Sequence, residues 1–239
     1  MNYLLNNYRY EIKFLLSSNM AKLLKYKLNL IMKKDYHSKS KDGKYYIRSL
    51  YFDDIYDTAY HEKLDGLNIR EKYRIRYYDF DESYISIELK GKKGDLSYKK
   101  QNKITKEEYF LIINKNYDKI NINNRKILEE FIDKCKYKNL VPSVIVDYER
   151  LAYTYQFEDV RITFDENIKS GLYNYNIFNK HLEVFDVLEP NQVILEVKFN
   201  NKLPNILNDI IRTVPMVRIA MSKFALCKEK KEVYYDNYS

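Results

Sequence analysis

At 239 residues, 45% of them hydrophobic, the chain can bury a sizeable core, which excludes a disordered tail or a disulfide-stapled miniature. Its net charge of +8 and pI near 9.1 fit an anionic partner or a lysine-covered surface. The five glycines fall into neither GxGxxG nor GxxxxGK[ST] spacing, so Rossmann and P-loop phosphate cradles are excluded and phosphate chemistry must rest on side chains. Cys135 and Cys227 form no CxxC pair, and His37, His61 and His181 lack zinc spacing. No apolar run approaches a membrane span and the N-terminus shows no signal-peptide pattern, so a cytoplasmic setting is expected.

In chain order, YRYEIKFLL predicts a strand over about 8–15, and a helix follows over about 18–33 with Met20, Leu23, Leu24, Leu28 and Ile31 on one face. A loop around DGK leads to the strand KYYIRSLYFDD, and Asp57 is the expected N-cap of a short helix ending near Gly66. Three closely linked strands come next, over about 68–79, 83–92 and 95–103, with GKKGD as the hairpin turn. Thr105 and Glu108 form a capping box, and Ile127, Leu128, Phe131, Ile132 and Cys135 stripe a further helix. VPSVIVDYERLAYTY, DVRITFDENI and NQVILEVKFN predict three more strands. Pro204 opens a helix to about Thr213, a last helical piece spans about 217–230, and the tail reads as loose.

Strand after strand places charge opposite hydrocarbon, because side chains alternate across a strand. Arg9, Glu11 and Lys13 oppose Tyr10, Ile12 and Phe14; Lys72, Arg74 and Arg76 oppose Tyr73, Ile75 and Tyr77. Ser86, Glu88 and Lys90, then Arg161, Thr163 and Asp165, then Glu196 and Lys198 repeat the pattern. A sheet with one wet face explains any single strand. The set carries Arg and Glu rather than mixed polar residues, and the amphipathic helices need an apolar surface to cover. Together these features favour charged faces turned towards one another. The expected fold is α+β, one domain over 1–239 with its core at about 8–228. It is a mostly antiparallel β-barrel or tunnel of about eight strands with a polar lumen and helices outside.

So many inward cations need counter-charge, which a few glutamates supply only in part; the remainder predicts a bound polyanion. Arg74, Arg76, Arg150 and Arg161 are the residue type that grips phosphate oxygens in pairs, with lysines as mobile charges beside them. Glu11, Glu88 and Glu196 are placed to offer oxygen to a hard divalent cation, or simply to pair with neighbouring Lys and Arg. With 26 tyrosines spread along the chain, aromatic content does not mark a base-stacking groove, and no nucleic-acid partner is expected.

YRYEIKF, SLYFDD, KYRIRYY, IELKGK, SYKK, VIVDYERLAY, VRITFDENI, ILEVKF and SKF, in this order, resemble the VTC domain. This is the catalytic domain of the vacuolar transporter chaperone polyphosphate polymerases, grouped with the CYTH proteins among the triphosphate tunnel metalloenzymes. The resemblance implies a β-tunnel, ATP and inorganic polyphosphate as substrates, and transfer of the γ-phosphate of ATP to the growing chain with Mn2+ or Mg2+. By motif it assigns phosphate binding to Lys13, Arg74, Arg76, Lys90, Lys99, Arg150, Arg161, Lys198 and Lys223, and metal binding foremost to Glu196, then Glu88 and Glu11. Arg74, Arg76, Arg150, Arg161 and Lys198 are the candidate catalytic set. Arg9 stands where the CYTH signature ExExK has a glutamate, and Gln101 where a basic residue is expected after Lys99. SPX and membrane segments are not expected in this chain. A metal-dependent triphosphatase or tripolyphosphatase, and a non-catalytic polyanion-binding module, are the alternatives.

Overall fold

The computed structural model describes residues 8–35, 40 and 42–238; His37 lies outside the described residues. The elements are β1 (Arg9–Ser17), α1 (Ser18–Leu28), β2 (Lys33–Lys34), β3 (Lys44–Asp53), α2 (Thr58–Leu64), β4 (Ile69–Tyr78), β5 (Asp81–Lys93) and β6 (Leu96–Ile104). They continue with α3 (Lys106–Ile113), α4 (Lys126–Tyr137), β7 (Val141–Tyr155), β8 (Val160–Ser170), β9 (Phe185–Asp186), β10 (Gln192–Phe199), α5 (Asn205–Arg212), β11 (Val217–Arg218) and α6 (Lys223–Tyr238). Eight long strands, each antiparallel to its neighbours, run in the order β7, β3, β4, β5, β6, β1, β10, β8, and β8 pairs back onto β7 to close the ring. The short strands β2, β9 and β11 attach to β7, β8 and β1.

The alternation read from the sequence sets which way each side chain points. On one side of the ring Tyr73, Ile75, Tyr77, Ile85, Ile87 and Leu89 turn outward and pack under Tyr109 and Ile112 of α3 and Leu128, Phe131 and Ile132 of α4. On the other, Ile162, Phe164, Leu195 and Val197 lie under Leu24 and Leu28 of α1 and Leu207 and Ile211 of α5. Each fully buried residue of this size contributes about 1.5–3 kcal/mol, so the helices are held by the outer faces of the strands. The inner faces carry the charged residues, beside one apolar patch.

The capping box is present: Thr105 Oγ1 accepts from the Glu108 N–H at 3.1 Å and the Glu108 carboxylate accepts from the Thr105 N–H at 2.9 Å. Gly94 takes φ +59° in the β5–β6 hairpin, as that turn requires. Three local expectations are corrected. The α1 helix stops at Leu28, because the chain must turn to lay Lys33 and Lys34 beside Thr154 and Tyr153. Asp57 occupies the expected N-cap position and its carbonyl accepts from the Tyr60 and His61 N–H groups, but it is left-handed (φ 54°) and its side chain does not cap. Asp53 accepts from the Ala59 and Tyr60 N–H groups instead, while Asp57 pairs with Lys228 at 2.8 Å.

The third correction concerns the C-terminus. Val217 and Arg218 form a strand against Phe14 and Leu15, and the helix starts later, at Lys223, and runs to Tyr238; the segment 229–238 is not loose. Its anchoring is invisible to a hydropathy pattern because the buried contacts are lysines. Lys231 Nζ donates to the Ser143 carbonyl at 2.8 Å and to the Tyr175 hydroxyl at 3.0 Å. At the other end of α6, Phe224, Ala225 and Cys227 pack against inward-facing Tyr51, Val144, Val146, Ile168 and Ile194, with Phe224 stacked on Tyr51 at 5.0 Å. The start of α6 thus fills one part of the ring interior with hydrocarbon and leaves the rest to charge. No helix among the described residues is long and apolar enough to cross a membrane.

Candidate active site

Arg74 and Arg76, two residues apart on β4, both point into the ring. Arg74 Nε and Nη2 donate to Glu88 across the β4–β5 pairing at 2.8 and 2.6 Å, and Nη1 donates to the Tyr51 hydroxyl at 2.8 Å. Arg76 donates to Ser49 Oγ and the Tyr148 hydroxyl, each at 2.9 Å. Glu88 is fully buried and also receives Lys99 Nζ at 3.1 Å. Burial works to raise the Glu88 carboxyl, but Arg74, Arg76 and Lys99 together hold it well below the usual carboxylate range.

A second cluster forms where β1 meets β10 and α6. The register sets Lys13 opposite Glu196 and Glu11 opposite Lys198, which interleaves the charges. Lys13 Nζ lies 3.1 Å from Glu11 and 3.6 Å from Glu196; Lys198 Nζ lies 3.5 and 3.4 Å from the same two carboxylates. Lys223, the first residue of α6, reaches Asp165 at 2.5 Å and Glu196 at 3.1 Å. Arg150 forks onto Asp165 at 2.6 and 2.7 Å and comes within 3.7 Å of Glu196. Burial opposes ionisation throughout, yet the surrounding cations keep Glu11 and Glu196 well below their ordinary values, and the carboxylates raise Lys13 and Lys223.

Other cations find less compensation. Lys90 Nζ is 3.1 Å from Glu11, but burial and the neighbouring Lys13 and Lys198 pull its ammonium down to about 7. Lys72 is also lowered to about 7, by burial and then by Arg70, Lys90 and Lys63; its Nζ is buried with no hydrogen-bond partner and lies 4.4 Å over the Phe224 ring. Arg161 Nη2 donates to Asp35 at 2.5 Å and to the Tyr45 hydroxyl at 3.0 Å, while its Nε is buried without a hydrogen-bond partner. The lining is therefore strongly cationic, with hydrogen-bonding capacity left over.

The structure thus faces Lys13, Arg74, Arg76, Lys90, Lys99, Arg150, Arg161, Lys198 and Lys223 towards the ring interior along with Glu11, Glu88 and Glu196. Arg9 instead pairs with Asp159 at the rim, and Gln101 is exposed, accepting from Lys99 and donating to the Tyr84 hydroxyl. His61 and His181 are exposed. Sequence reasoning missed three contributors. Asp165 was legible as an inward position of DVRITFD, and Lys72 as the third member of KYRIRYY. Tyr148 carried no signal; its hydroxyl takes Arg76, and Arg150 and Lys223 lie 5.2 and 5.0 Å over its ring.

The three glutamates do not form one cage. Glu11 and Glu196 share Lys13 and Lys198, whereas Glu88 is engaged by Arg74 and Lys99, and among the described residues no three acidic, histidine or cysteine side chains cluster as metal ligands. The donor chemistry still suits a hard divalent cation: Glu196 and Glu11 offer carboxylate oxygens, and an incoming phosphate chain and water would complete the shell. Glu88, saturated by its arginine, fits that role poorly.

The VTC domain family model matches residues 8–230. The chain belongs to this family. Membership places it among phosphoryl-transfer-related enzymes with the triphosphate-tunnel fold, which the closed ring and its charged interior express in this VTC domain. No curated protein matches the chain. Similar solved structures include a Pyrococcus horikoshii OT3 protein, 13% identical, covering 91% of this chain and 98% of its own, with a TM-score of 0.49. A Bacillus halodurans protein provisionally assigned as an adenylate cyclase is 14% identical over 86% of each chain (TM-score 0.48). A Vibrio parahaemolyticus protein with the same provisional assignment is 9% identical, covering 91% of this chain and 97% of its own (TM-score 0.49).

Proposed function

We propose that this VTC domain is a polyphosphate polymerase: within the ring, a terminal oxygen of a polyphosphate chain attacks the γ-phosphorus of ATP, the β–γ bridging bond breaks and ADP leaves. The observation that carries this reading is the excess of inward cations over carboxylates, with Lys72 Nζ and Arg161 Nε buried and without hydrogen-bond partners. An interior of this kind gains stability from an anion of high charge, and a polyphosphate chain is a linear array of such charges.

Phosphoryl transfer asks a protein for position and charge more than for a covalent partner. Arg74 and Arg150, each fixed by a carboxylate fork, form the rigid wall; Arg76, held by Ser49 and Tyr148, extends it. Arg161, Lys198 and Lys99, which retain some exposure, are free to adjust to the chain as it advances. Lys13, Lys90 and Lys223 neutralise further phosphate oxygens. A divalent cation held by Glu196 and Glu11 would supply charge neutralisation at the β- and γ-phosphates.

The test is incubation of the purified protein with ATP and Mn2+, following polymer on a gel together with ADP and free phosphate. The polymerase predicts long chains matched by ADP with little free phosphate. Free phosphate without polymer would replace this reading with a triphosphatase. Binding of polyphosphate without turnover, across several metals and nucleotides, would leave a polyanion-binding module.

A further inference from the structure

The outer face of the ring carries a second recess, unrelated to the charged interior. It is a cavity of about 470 Å³ between the sheet and α5. Ile12 and Phe14 of β1 and Val197 of β10 form its floor, and Ile211 and Val214 one wall. Met216, half-buried, and Arg212 and Arg218, both exposed, also line it. Among the described residues no side-chain hydrogen bond or ion pair engages either guanidinium. The volume falls in the range of small-molecule sites, which pair apolar walls with a few placed polar groups.

We propose that this cleft binds a single-chain amphiphilic anion, a medium-chain alkyl carboxylate or its like. The alkyl chain occupies the apolar recess and the acidic head is received by Arg212 and Arg218. Charge complementarity selects this occupant. Planar guanidinium groups fork onto carboxylate oxygens, and two of them without protein partners stand beside a recess whose floor is hydrocarbon. The site is independent of phosphoryl transfer, but it shares its strands with the tunnel. The residues beside Ile12 and Phe14 on β1 are Glu11 and Lys13, and those beside Val197 on β10 are Glu196 and Lys198, all four facing inward. Beyond Arg218, the Ile219 N–H donates to the Lys13 carbonyl and Lys13 Nζ to that of Met221, two residues before Lys223. An occupant of the cleft therefore touches the segments that set the tunnel cations.

The test is calorimetric titration of the whole chain with sodium dodecanoate below its micellar concentration, with excess tripolyphosphate present to occupy the tunnel. Saturable binding is expected, weakened about tenfold or more in Arg212→Gln/Arg218→Gln, as the loss of a charge-assisted contact requires. Dodecanol should bind correspondingly more weakly. Met216→Glu, which brings a like charge to the cleft, should abolish binding while its melting curve shows the fold retained. Absence of saturable binding, binding unaffected by the arginine changes, or binding abolished by tripolyphosphate would each overturn the proposal. So would association only with phosphatidylglycerol vesicles, or a dimer in sedimentation that the arginine changes disperse; these would assign the cleft to a membrane or to a second copy of the chain.

Discussion

Arg150 and Asp165 face each other across β7 and β8, joined by hydrogen bonds of 2.6 and 2.7 Å in a place closed to water. The carboxylate is held below its ordinary range by Arg150 and Lys223 against the opposing effect of burial. The pair fixes a guanidinium at the wall of the tunnel before any substrate arrives. Removing one partner of a buried pair leaves an uncompensated charge, which costs about 3–5 kcal/mol. Asp165→Asn is therefore expected to lose stability of that order, read from the denaturant midpoint, and to weaken tripolyphosphate binding because Arg150 and Lys223 are no longer held. A change below about 1 kcal/mol would show that the pair is not structural.

Arg161 offers a cleaner probe of phosphate contact than Arg74. Arg74 is the main partner of fully buried Glu88, so Arg74→Ala should destabilise the fold as well as stop turnover. Arg161→Lys keeps a cation beside Asp35 and loses the planar fork. Its melting temperature should stay near that of the parent while kcat falls at least about tenfold, the scale of one lost transition-state contact. Unchanged kcat would remove Arg161 from the phosphate-binding set.

Lys72 and Lys90 make the tunnel sensitive to pH. Both ammonium groups are lowered to about 7, so between that value and the ordinary lysine range the unfolded chain binds more protons than the folded one. Stability should rise with pH across this window, and the penalty of the buried charges should be fully present below it. Lys72→Met is expected to stabilise the protein more at pH near 6 than at pH near 9. An anion entering the tunnel favours the charged lysines, so tripolyphosphate binding near pH 8 should take up protons. Titration calorimetry in buffers of different ionisation enthalpy reads that uptake, and Lys72→Met/Lys90→Met should lose it. Binding without proton uptake in the parent would contradict the assignment.

Glu196 separates metal dependence from anion binding. It sits among Lys13, Lys198, Lys223 and Arg150, so its negative charge lowers the affinity of the tunnel for a bare anion. Glu196→Gln is expected to bind tripolyphosphate more tightly in the presence of a chelator, while requiring more Mn2+ for turnover. A variant with the parental Mn2+ requirement would place the metal elsewhere. In the parent, chelation should stop turnover and leave tripolyphosphate binding largely intact.

The ring and the direction of its side chains were legible because alternation is a strict period of two. Once Arg74 and Arg76 share a face with Lys72, the only open matter is whether that face meets water. The helices decided it, since stripes such as Leu128, Phe131 and Ile132 need outward-facing Ile75 and Ile87 to cover. Partner choice was not legible. Which carboxylate meets which cation depends on register, and only the pairing of Glu11 with Lys198, and of Lys13 with Glu196, brings those four together. In sequence Glu88 reads equally as a metal ligand or as an ion-pair partner, and only the register shows that its cross-strand partner is Arg74. The late start of α6 and its run to Tyr238 were hidden because lysines, whose stems bury while their heads find a carbonyl or a carboxylate, anchor it.

Whether the ring interior receives a phosphate chain is decided by a crystal structure of the protein with tripolyphosphate and Mn2+. The anion is expected threaded inside the ring, its oxygens on Arg76, Arg161, Lys72 and Lys198, with the metal between it and Glu196. Tripolyphosphate bound only to the outer surface, with the inward cations keeping their present partners, would contradict it.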